Sequence, residues 1–324
     1  MTTATATKTT TFASALNTAM SDAMETDPSV VVFGEDVGTL GGVFRITDGL
    51  TKRFGENRCF DTPLAESGIA GMAVGMAING MRPVIEMQFD AFAYPALEQI
   101  FSHIAKYANR TRGRVRLPIV IRIPYGGGVG GVEHHCDSSE AYYAHTAGLK
   151  VFTPATVADA YLMLREAIDS EDPVVFFEPK KLYWSKDAED LSALRSQYES
   201  GSGAQDRSIG PAGQAQVVRE GTDVSIISYG PSVSTALKAA IVPFDDAALE
   251  GTVTKTGRAV VVAEAQGFVS VASEIVARIQ ERCFHSLASP VLRVTGFDIP
   301  YPSPKLEQHH LPDVDRILDA LDEL

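Results

Sequence analysis

A glutamate at the start of an apolar segment is the residue of this sequence best placed to do chemistry. Glu66 lies within the string DTPLAESG at 61–68 and comes just before an almost wholly apolar stretch, Gly68 to Ala77. Because burial disfavours a charged carboxylate, this apolar neighbour is expected to raise the pKa of Glu66. A carboxyl group that keeps its proton near neutral pH can pass it to a ring nitrogen. A structural alternative stands beside this, since acidic residues are favoured in first helical turns.

A second candidate is a polar cluster around two adjacent histidines, with the sequence EHHCD at 133–137. Neighbouring residues rarely converge on one tetrahedral ion, and no other Cys or His pair stands at ligand spacing, so a zinc site is disfavoured. Cys136 has no independent orienting pair, which disfavours a thiol nucleophile. We favour a single catalytic histidine on a loop, because histidine titrates near neutral pH and can relay protons.

A glycine-rich stretch, GGGVGG at 126–131, follows a predicted strand and formally matches a dinucleotide-binding pattern. That pattern should open a helix and be followed by an acidic residue about 20 positions later. Here Pro124 interrupts the strand and the continuation is polar, so nicotinamide binding is disfavoured. No Gly-Lys-Ser/Thr string follows, which excludes a P-loop. The glycines are expected to let the backbone approach a ligand or another chain closely.

Composition limits the class of protein. The 324 residues suit two domains, and the net charge of −13 disfavours nucleic acid and suits a basic protein partner. The three cysteines are far apart, which indicates free thiols in a reducing compartment and a cytoplasmic location. The longest apolar stretch is too short for a membrane span, which needs about 20 residues.

Strand and helix signals alternate along the chain. Predicted strands are 30–33, 83–89, 118–123, 150–153, 173–177, 214–219, 224–228, 259–263 and 291–294, and predicted helices are 12–24, 68–77, 93–109, 157–168, 233–240 and 269–282. This alternation predicts α/β domains built on parallel sheets. We expect a disordered tail at 1–11, a first domain at 12–184, a Ser/Gly-rich linker at 185–211 and a second domain at 212–324.

Four strings, taken in order, resemble the beta subunit of the thiamine-dependent decarboxylase component of 2-oxo acid dehydrogenase complexes. They are GEDV at 34–37, TPLAE at 62–66, IEMQF at 85–89, and the histidine pair followed by YYAH at 142–145. The resemblance runs from about Phe12 to the C-terminus. It implies a transketolase-like pyrimidine-binding domain with a parallel sheet, followed by a transketolase C-terminal-like α/β domain.

The resemblance also implies roles for individual residues. Glu66 matches the glutamate that hydrogen-bonds the aminopyrimidine ring of thiamine diphosphate, and the YYAH register matches His135, rather than His134, to the histidine that transfers protons. The implied cofactor-binding positions are Glu35, Leu64, Glu66, Gln88 and Phe92. The string Gly-Asp-Gly, which begins the magnesium- and diphosphate-binding motif of such enzymes, is absent from this sequence. The Mg²⁺ ligands are therefore expected on an alpha chain, and none is assigned in this chain.

The resemblance implies partners and a reaction as well. The partners are an alpha subunit, in an assembly of two alpha and two beta chains, and a lipoyl-bearing acyltransferase core. The strings EMQF at 86–89 and FFEPK at 176–180 resemble branched-chain more than pyruvate enzymes. The expected reaction is oxidative decarboxylation of a branched-chain 2-oxo acid, such as 3-methyl-2-oxobutanoate, with acyl transfer to lipoyl-protein. Pyruvate is the alternative substrate, and neither nucleic acid nor membrane is an expected partner.

One stretch departs from the family pattern. After Ala240 the family finishes a helix and adds a strand, whereas Ile241 follows directly in this chain. A parallel crossover takes about a dozen residues or more, so the strand is expected to be missing and the second domain shortened. Either the second sheet pairs with one strand fewer, or the chain is a damaged or diverged copy that assembles poorly. The corresponding functional alternative is a non-catalytic assembly subunit.

Overall fold

The computed structural model describes residues 9–200, 213–236 and 245–324, and the interruption predicted after Ala240 lies outside them. The strands are β1 Thr10–Thr11, β2 Val30–Gly34, β3 Cys59–Asp61, β4 Arg82–Glu86, β5 Val120–Tyr125, β6 Lys150–Phe152, β7 Val174–Pro179, β8 Lys186–Asp187, β9 Ser225–Ser228, β10 Ala259–Gln266 and β11 Leu292–Gly296. The helices are α1 Phe12–Thr26, α2 Leu50–Phe54, α3 Glu66–Ile78, α4 Tyr107–Arg110, α5 Glu133–Cys136, α6 Glu140–Ala144, α7 Val157–Asp169, α8 Leu191–Glu199, α9 Val233–Ala236, α10 Asp246–Thr256, α11 Val271–Cys283, α12 Glu307–His310 and α13 Val314–Asp322. Among these described helices, none has the length and apolarity that crossing a membrane requires.

The first sheet has six parallel strands in the order β3-β2-β4-β5-β7-β6. Its central strands are buried along their whole length, as runs of valine, isoleucine and phenylalanine predict. Successive side chains point to opposite faces. Val30 and Val32 pack in one core cluster with α1 and α7, whereas Val31 and Phe33 pack in another with α3.

The second sheet is smaller, with three parallel strands in the order β11-β10-β9 among the described residues. Val261 packs towards α11, and Val260 and Val262 pack with Ile317 of α13. The strand predicted at 214–219 is wrong, because this segment is irregular and both Val217 and Val218 are largely exposed. Two adjacent valines that are not buried do not make a strand.

The segments on either side of the first domain are more ordered than the sequence predicts. Thr10 and Thr11, within the predicted tail, pair antiparallel with Lys186 and Asp187. The predicted linker contains α8, whose Arg195 Nη1 donates to carboxylates of α1, including Asp22 at 2.9 Å. The two ends of the first domain therefore lie together, and part of the linker packs against that domain.

Candidate functional site

The site residues predicted from the sequence lie along one edge of the first sheet. Glu35 follows β2, Glu66 comes shortly after β3, Gln88 follows β4, and the loop that carries His135 follows β5. Because these strands are adjacent and parallel, their carboxyl ends meet at the same edge. Ligands of open α/β sheets bind at this edge, so the location agrees with a binding site.

Two glutamates at this edge, Glu35 and Glu66, interact electrostatically. Glu35 is buried. Burial, followed by the charges of Glu66 and Asp36, raises the pKa of Glu35. Its Oε1 atom has no hydrogen-bond partner within the described part of the chain. A buried polar atom without a partner is costly, so Glu35 is suited to hydrogen-bonding a polar group of a ligand.

Helix α3 places Glu66 in its first turn, where the helix dipole favours a negative charge. The side chain of Glu66 is half-buried. Ile69 and Ala73 anchor the helix to the sheet, but Ile78 is 44% exposed and Leu64, just before the helix, is 80% exposed. Glu66 therefore lies at the border of an apolar surface that this chain leaves open.

Gln88 and Phe92 line the same edge. Gln88 Nε2 donates to Asp36 Oδ2 at 3.1 Å, so an aspartate that the sequence did not indicate orients this amide. The Phe92 ring lies edge-on to His135, with ring centroids 5.2 Å apart. Phe89 lies closer to His135, at 4.4 Å. These rings form an apolar wall beside the polar groups.

His135 is distinguished from His134 by its surroundings. His134 is exposed, whereas His135 is partly buried against Phe89 and Phe92, and its Nδ1 has no partner among the described residues. Burial, then the charges of His134 and Lys180, lowers the pKa of His135, and Glu133 opposes them. A neutral imidazole at pH 7 can accept a proton, so the geometry favours His135 as the acid–base group.

A buried polar cluster beneath the histidine loop was missed by the sequence analysis. Asp90 and Lys180 are both fully buried. Asp90 accepts a hydrogen bond from the Ser139 N–H at 2.9 Å, and Lys180 Nζ has no hydrogen-bond partner within the described ranges. Burial lowers the pKa of Lys180 and raises that of Asp90. Lys180 follows β7 and Asp90 follows β4, so both lie at the sheet edge where ligands of open α/β sheets bind. This position is the signal by which the sequence could have indicated them.

Glu140 joins the two domains, and its burial predicts a pH-dependent stability. Its Oε1 accepts a hydrogen bond from the Tyr229 hydroxyl at 2.9 Å, and burial raises its pKa to about 7. The folded chain therefore binds a proton that the unfolded chain has lost, and the resulting stability is full below pH 4.5 and disappears as pH rises through about 7. We expect wild type to lose about 1–3 kcal/mol more than Glu140→Gln between pH 5 and 8.

Urea unfolding at both pH values measures this difference. Any effect of the amide on packing is the same at both pH values, so it cancels from the change in unfolding free energy between them. Glu56→Gln changes an exposed glutamate between α2 and β3 and is the matched control. An equal pH dependence in wild type and Glu140→Gln would contradict the assignment.

Among the described residues, no group of three or more His, Cys, Asp or Glu side chains is arranged to hold a metal ion. His134 and His135 have ring centroids 4.4 Å apart, but both contact Phe92. The cysteines, including Cys136, are buried free thiols. The polar side chains at this sheet edge are carboxylates, an amide and an imidazole.

Comparison with known families agrees with this architecture. Residues 8–185 match the model of the transketolase pyrimidine-binding domain, and residues 213–317 match that of the transketolase C-terminal domain. A solved structure described as a split gene transketolase, an inactive beta4 tetramer, superposes with a TM-score of 0.74. It covers 96% of both chains at 19% identity, which shows a shared fold alone. The predicted fold class, two transketolase-like α/β domains with parallel sheets, is confirmed.

Curated relatives cover nearly the whole chain. The pyruvate dehydrogenase E1 component subunit beta of Leifsonia xyli is 47% identical over 95% of this chain and 92% of its own. The 3-methyl-2-oxobutanoate dehydrogenase subunit beta of Mycobacterium tuberculosis is 46% identical over 96% and 91%. The 2-oxoisovalerate dehydrogenase subunit beta of Bacillus subtilis is 41% identical over 96% and 97%.

Proposed function

From the premise that this chain belongs to the beta-subunit family of the thiamine-dependent 2-oxo acid dehydrogenases, we propose that it forms half of an active site with an alpha subunit. The reaction proposed is oxidative decarboxylation of a branched-chain 2-oxo acid with transfer of the acyl group to lipoyl-protein. The observation that carries the proposal is the convergence of Glu35, Glu66, Gln88 and His135 at one sheet edge.

The donor and acceptor groups of this edge fit the pyrimidine end of thiamine diphosphate. The unpartnered Glu35 Oε1 and the half-buried Glu66 offer acceptors for ring N–H groups, and Leu64 and Phe92 offer apolar contact. When bound, the cofactor supplies the electron sink for loss of carbon dioxide. Glu66 would hold a proton at a ring nitrogen, and His135 would hold or release one beside the substrate.

The magnesium and diphosphate are assigned to the alpha chain. The sequence lacks Gly-Asp-Gly, and the described residues hold no group arranged for a metal ion. An alpha chain in a complex of two alpha and two beta subunits would supply those ligands, and a lipoyl-bearing acyltransferase core would receive the acyl group. Activity is accordingly expected only when both chains are present.

The aromatic wall beside His135 supports a branched substrate. Phe89 and Phe92 present apolar surface at the site, where an isopropyl group gains about 0.8 kcal/mol for each buried carbon relative to a methyl group. A hydrophobic pocket discriminates by about 10- to 200-fold for each methylene. We therefore expect a higher kcat/KM for 3-methyl-2-oxobutanoate than for pyruvate.

Co-expression with the alpha chain tests the function. We would purify the complex and measure cofactor-dependent turnover of 3-methyl-2-oxobutanoate and of pyruvate with an artificial electron acceptor. A higher kcat/KM for pyruvate would replace the branched-chain assignment, an alternative favoured by the similarity to the Leifsonia xyli protein. A stable complex without turnover would indicate a non-catalytic assembly subunit.

The two adjacent histidines give a direct test of the acid–base assignment. His135→Asn is expected to lower turnover by about 10²-fold or more, because no other imidazole contacts both Phe89 and Phe92 among the described residues. His134→Asn, at the exposed position, should retain most of the activity. The acidic limb of the wild-type pH profile should lie below the ordinary histidine value of 6.5. Equal losses in the two variants would contradict the assignment.

A further inference from the structure

The glycine-rich loop has a function that its sequence pattern left open. In the structure this loop meets side chains of the second domain of the same chain. The Gly127 N–H donates to Glu264 Oε1 at 2.5 Å, and the Gly128 N–H donates to Glu307 Oε1 at 2.7 Å. Tyr301 donates its hydroxyl to the same Glu307 oxygen at 2.8 Å. Two carboxylates from one domain thus bind two successive amides of the other.

The glycines are required for this approach. A Cβ atom at Gly127 would lie 1.7 Å from the Tyr301 hydroxyl, and one at Gly126 would lie 2.6 Å from Glu264 Oε1. Gly126 and Gly128 also have φ angles of +74° and +88°, which disfavour residues with side chains. Loop and carboxylates are therefore complementary in shape as well as in hydrogen bonding.

The same loop carries the proposed acid–base residue. The Gly126 N–H donates to the Asp137 carbonyl at 2.9 Å, so the segment 126–137 is closed on itself and contains α5 with His135. At its far end Cys136, next to His135, is buried against Tyr301 and Leu311 of the second domain. The second domain therefore fixes the loop at both ends of the segment that presents His135.

We propose that Glu264 and Glu307 are positioning residues, which together form a carboxylate clamp that holds the loop 126–137 and thereby places His135 at the site. The proposal rests on the proposed role of His135. Both glutamates are buried, at 6% and 9% exposure, so their hydrogen bonds to the amides are protected from water. Hydrogen bonds to charged groups are worth more than neutral ones, which suits two carboxylates for holding a loop otherwise rich in glycine.

Hydrogen exchange of the full-length chain measures the clamp independently of activity. Glu264→Ala and Glu307→Ala should speed exchange of the 126–137 amides by about 10- to 100-fold. Glu307→Gln keeps an acceptor oxygen and should restore most of the protection. Glu281→Ala changes an exposed glutamate of α11 and is the matched control. Unchanged exchange in both alanine variants would overturn the clamp.

Kinetics with the alpha subunit tests the positioning role. In Glu307→Ala we expect kcat to fall by about 10-fold or more while KM for the 2-oxo acid changes less, since the loop acts on the chemistry through His135. Glu307→Gln should recover to within a few-fold of wild type. A loosened loop with unchanged kcat would overturn the positioning role. Absence of turnover in wild type would instead reject the proposed function, and the exchange data would still decide whether the clamp exists.

Discussion

Glu66→Gln is expected to reduce thiamine-dependent turnover by about 10²- to 10⁴-fold while leaving the fold intact. The substitution keeps the size of the side chain but removes the acid–base group, and general acid–base catalysis contributes a factor of this order. The half-buried side chain lies at the open end of α3, so little packing is lost. The measurement is kcat of the complex with the alpha subunit, at saturating cofactor and 2-oxo acid.

Glu56→Gln is the control for this variant, because Glu56 is an exposed glutamate between α2 and β3. It should be indistinguishable from wild type in turnover and in assembly. Circular dichroism and co-purification with the alpha subunit would show that Glu66→Gln is folded and assembled. Wild-type turnover in Glu66→Gln would refute its role.

Arg122→Met is expected to lower the free energy of unfolding by about 3–5 kcal/mol. Arg122 is fully buried in β5, with Nη1 2.6 Å from Glu86 Oε2 of β4 and Nε 2.6 Å from Glu178 Oε1 of β7. Removing the guanidinium leaves two carboxylates in the centre of the sheet without a cation. The loss of unfolding free energy should be smaller at pH 5 than at pH 8, because carboxylates without a neighbouring cation take up protons at the lower pH.

The single tryptophan, Trp184, offers a fluorescence signal for urea unfolding, since its ring lies 5.7 Å from Tyr183, which donates a hydrogen bond to Glu178. Arg116→Met is the matched control. Arg116 also pairs with a carboxylate, Asp172 at 2.7 Å, but both side chains are largely exposed. An exposed pair of this kind contributes less than about 1 kcal/mol. Similar losses in the two variants would show that burial is not the cause.

The first sheet could be predicted where sequence runs are continuous. The run at 30–33 forms β2 because each residue is buried. By contrast, β3 was missed because it is three residues long and only Cys59 is fully buried. The helix predicted at 93–109 is divided into a 3₁₀ segment Ala91–Ala96, which contains Pro95, a π segment Gln99–Ile104 and the short helix α4. Local hydrogen-bond geometry of this kind is not encoded in apolar periodicity.

Part of the site could also be predicted, where its residues belong to continuous stretches of sequence. Glu66 and His135 belong to short strings that are recognisable by their order along the chain. Asp90 belongs to no such string, and Lys180 ends the string FFEPK at 176–180, which was used only as an indication of substrate class. The importance of both residues arises from their burial after strands far apart in sequence. Glu264 is more remote still, because its partner is a backbone amide at Gly127. Contacts between distant segments leave no local pattern.

The order in which the chain is synthesised determines when the contacts of the glycine-rich loop can form. The strand pair β1–β8 can close once Asp187 has left the ribosome, so the first domain can form both of its own sheets early. The amides of Gly127 and Gly128, however, cannot form their hydrogen bonds until the glutamates at positions 264 and 307 have been synthesised. A chain released before Glu307 is made would carry the residues of the sheet edge but leave the Gly128 amide without its carboxylate. The loop that carries His135 can therefore be held by both carboxylates only once synthesis has passed position 307.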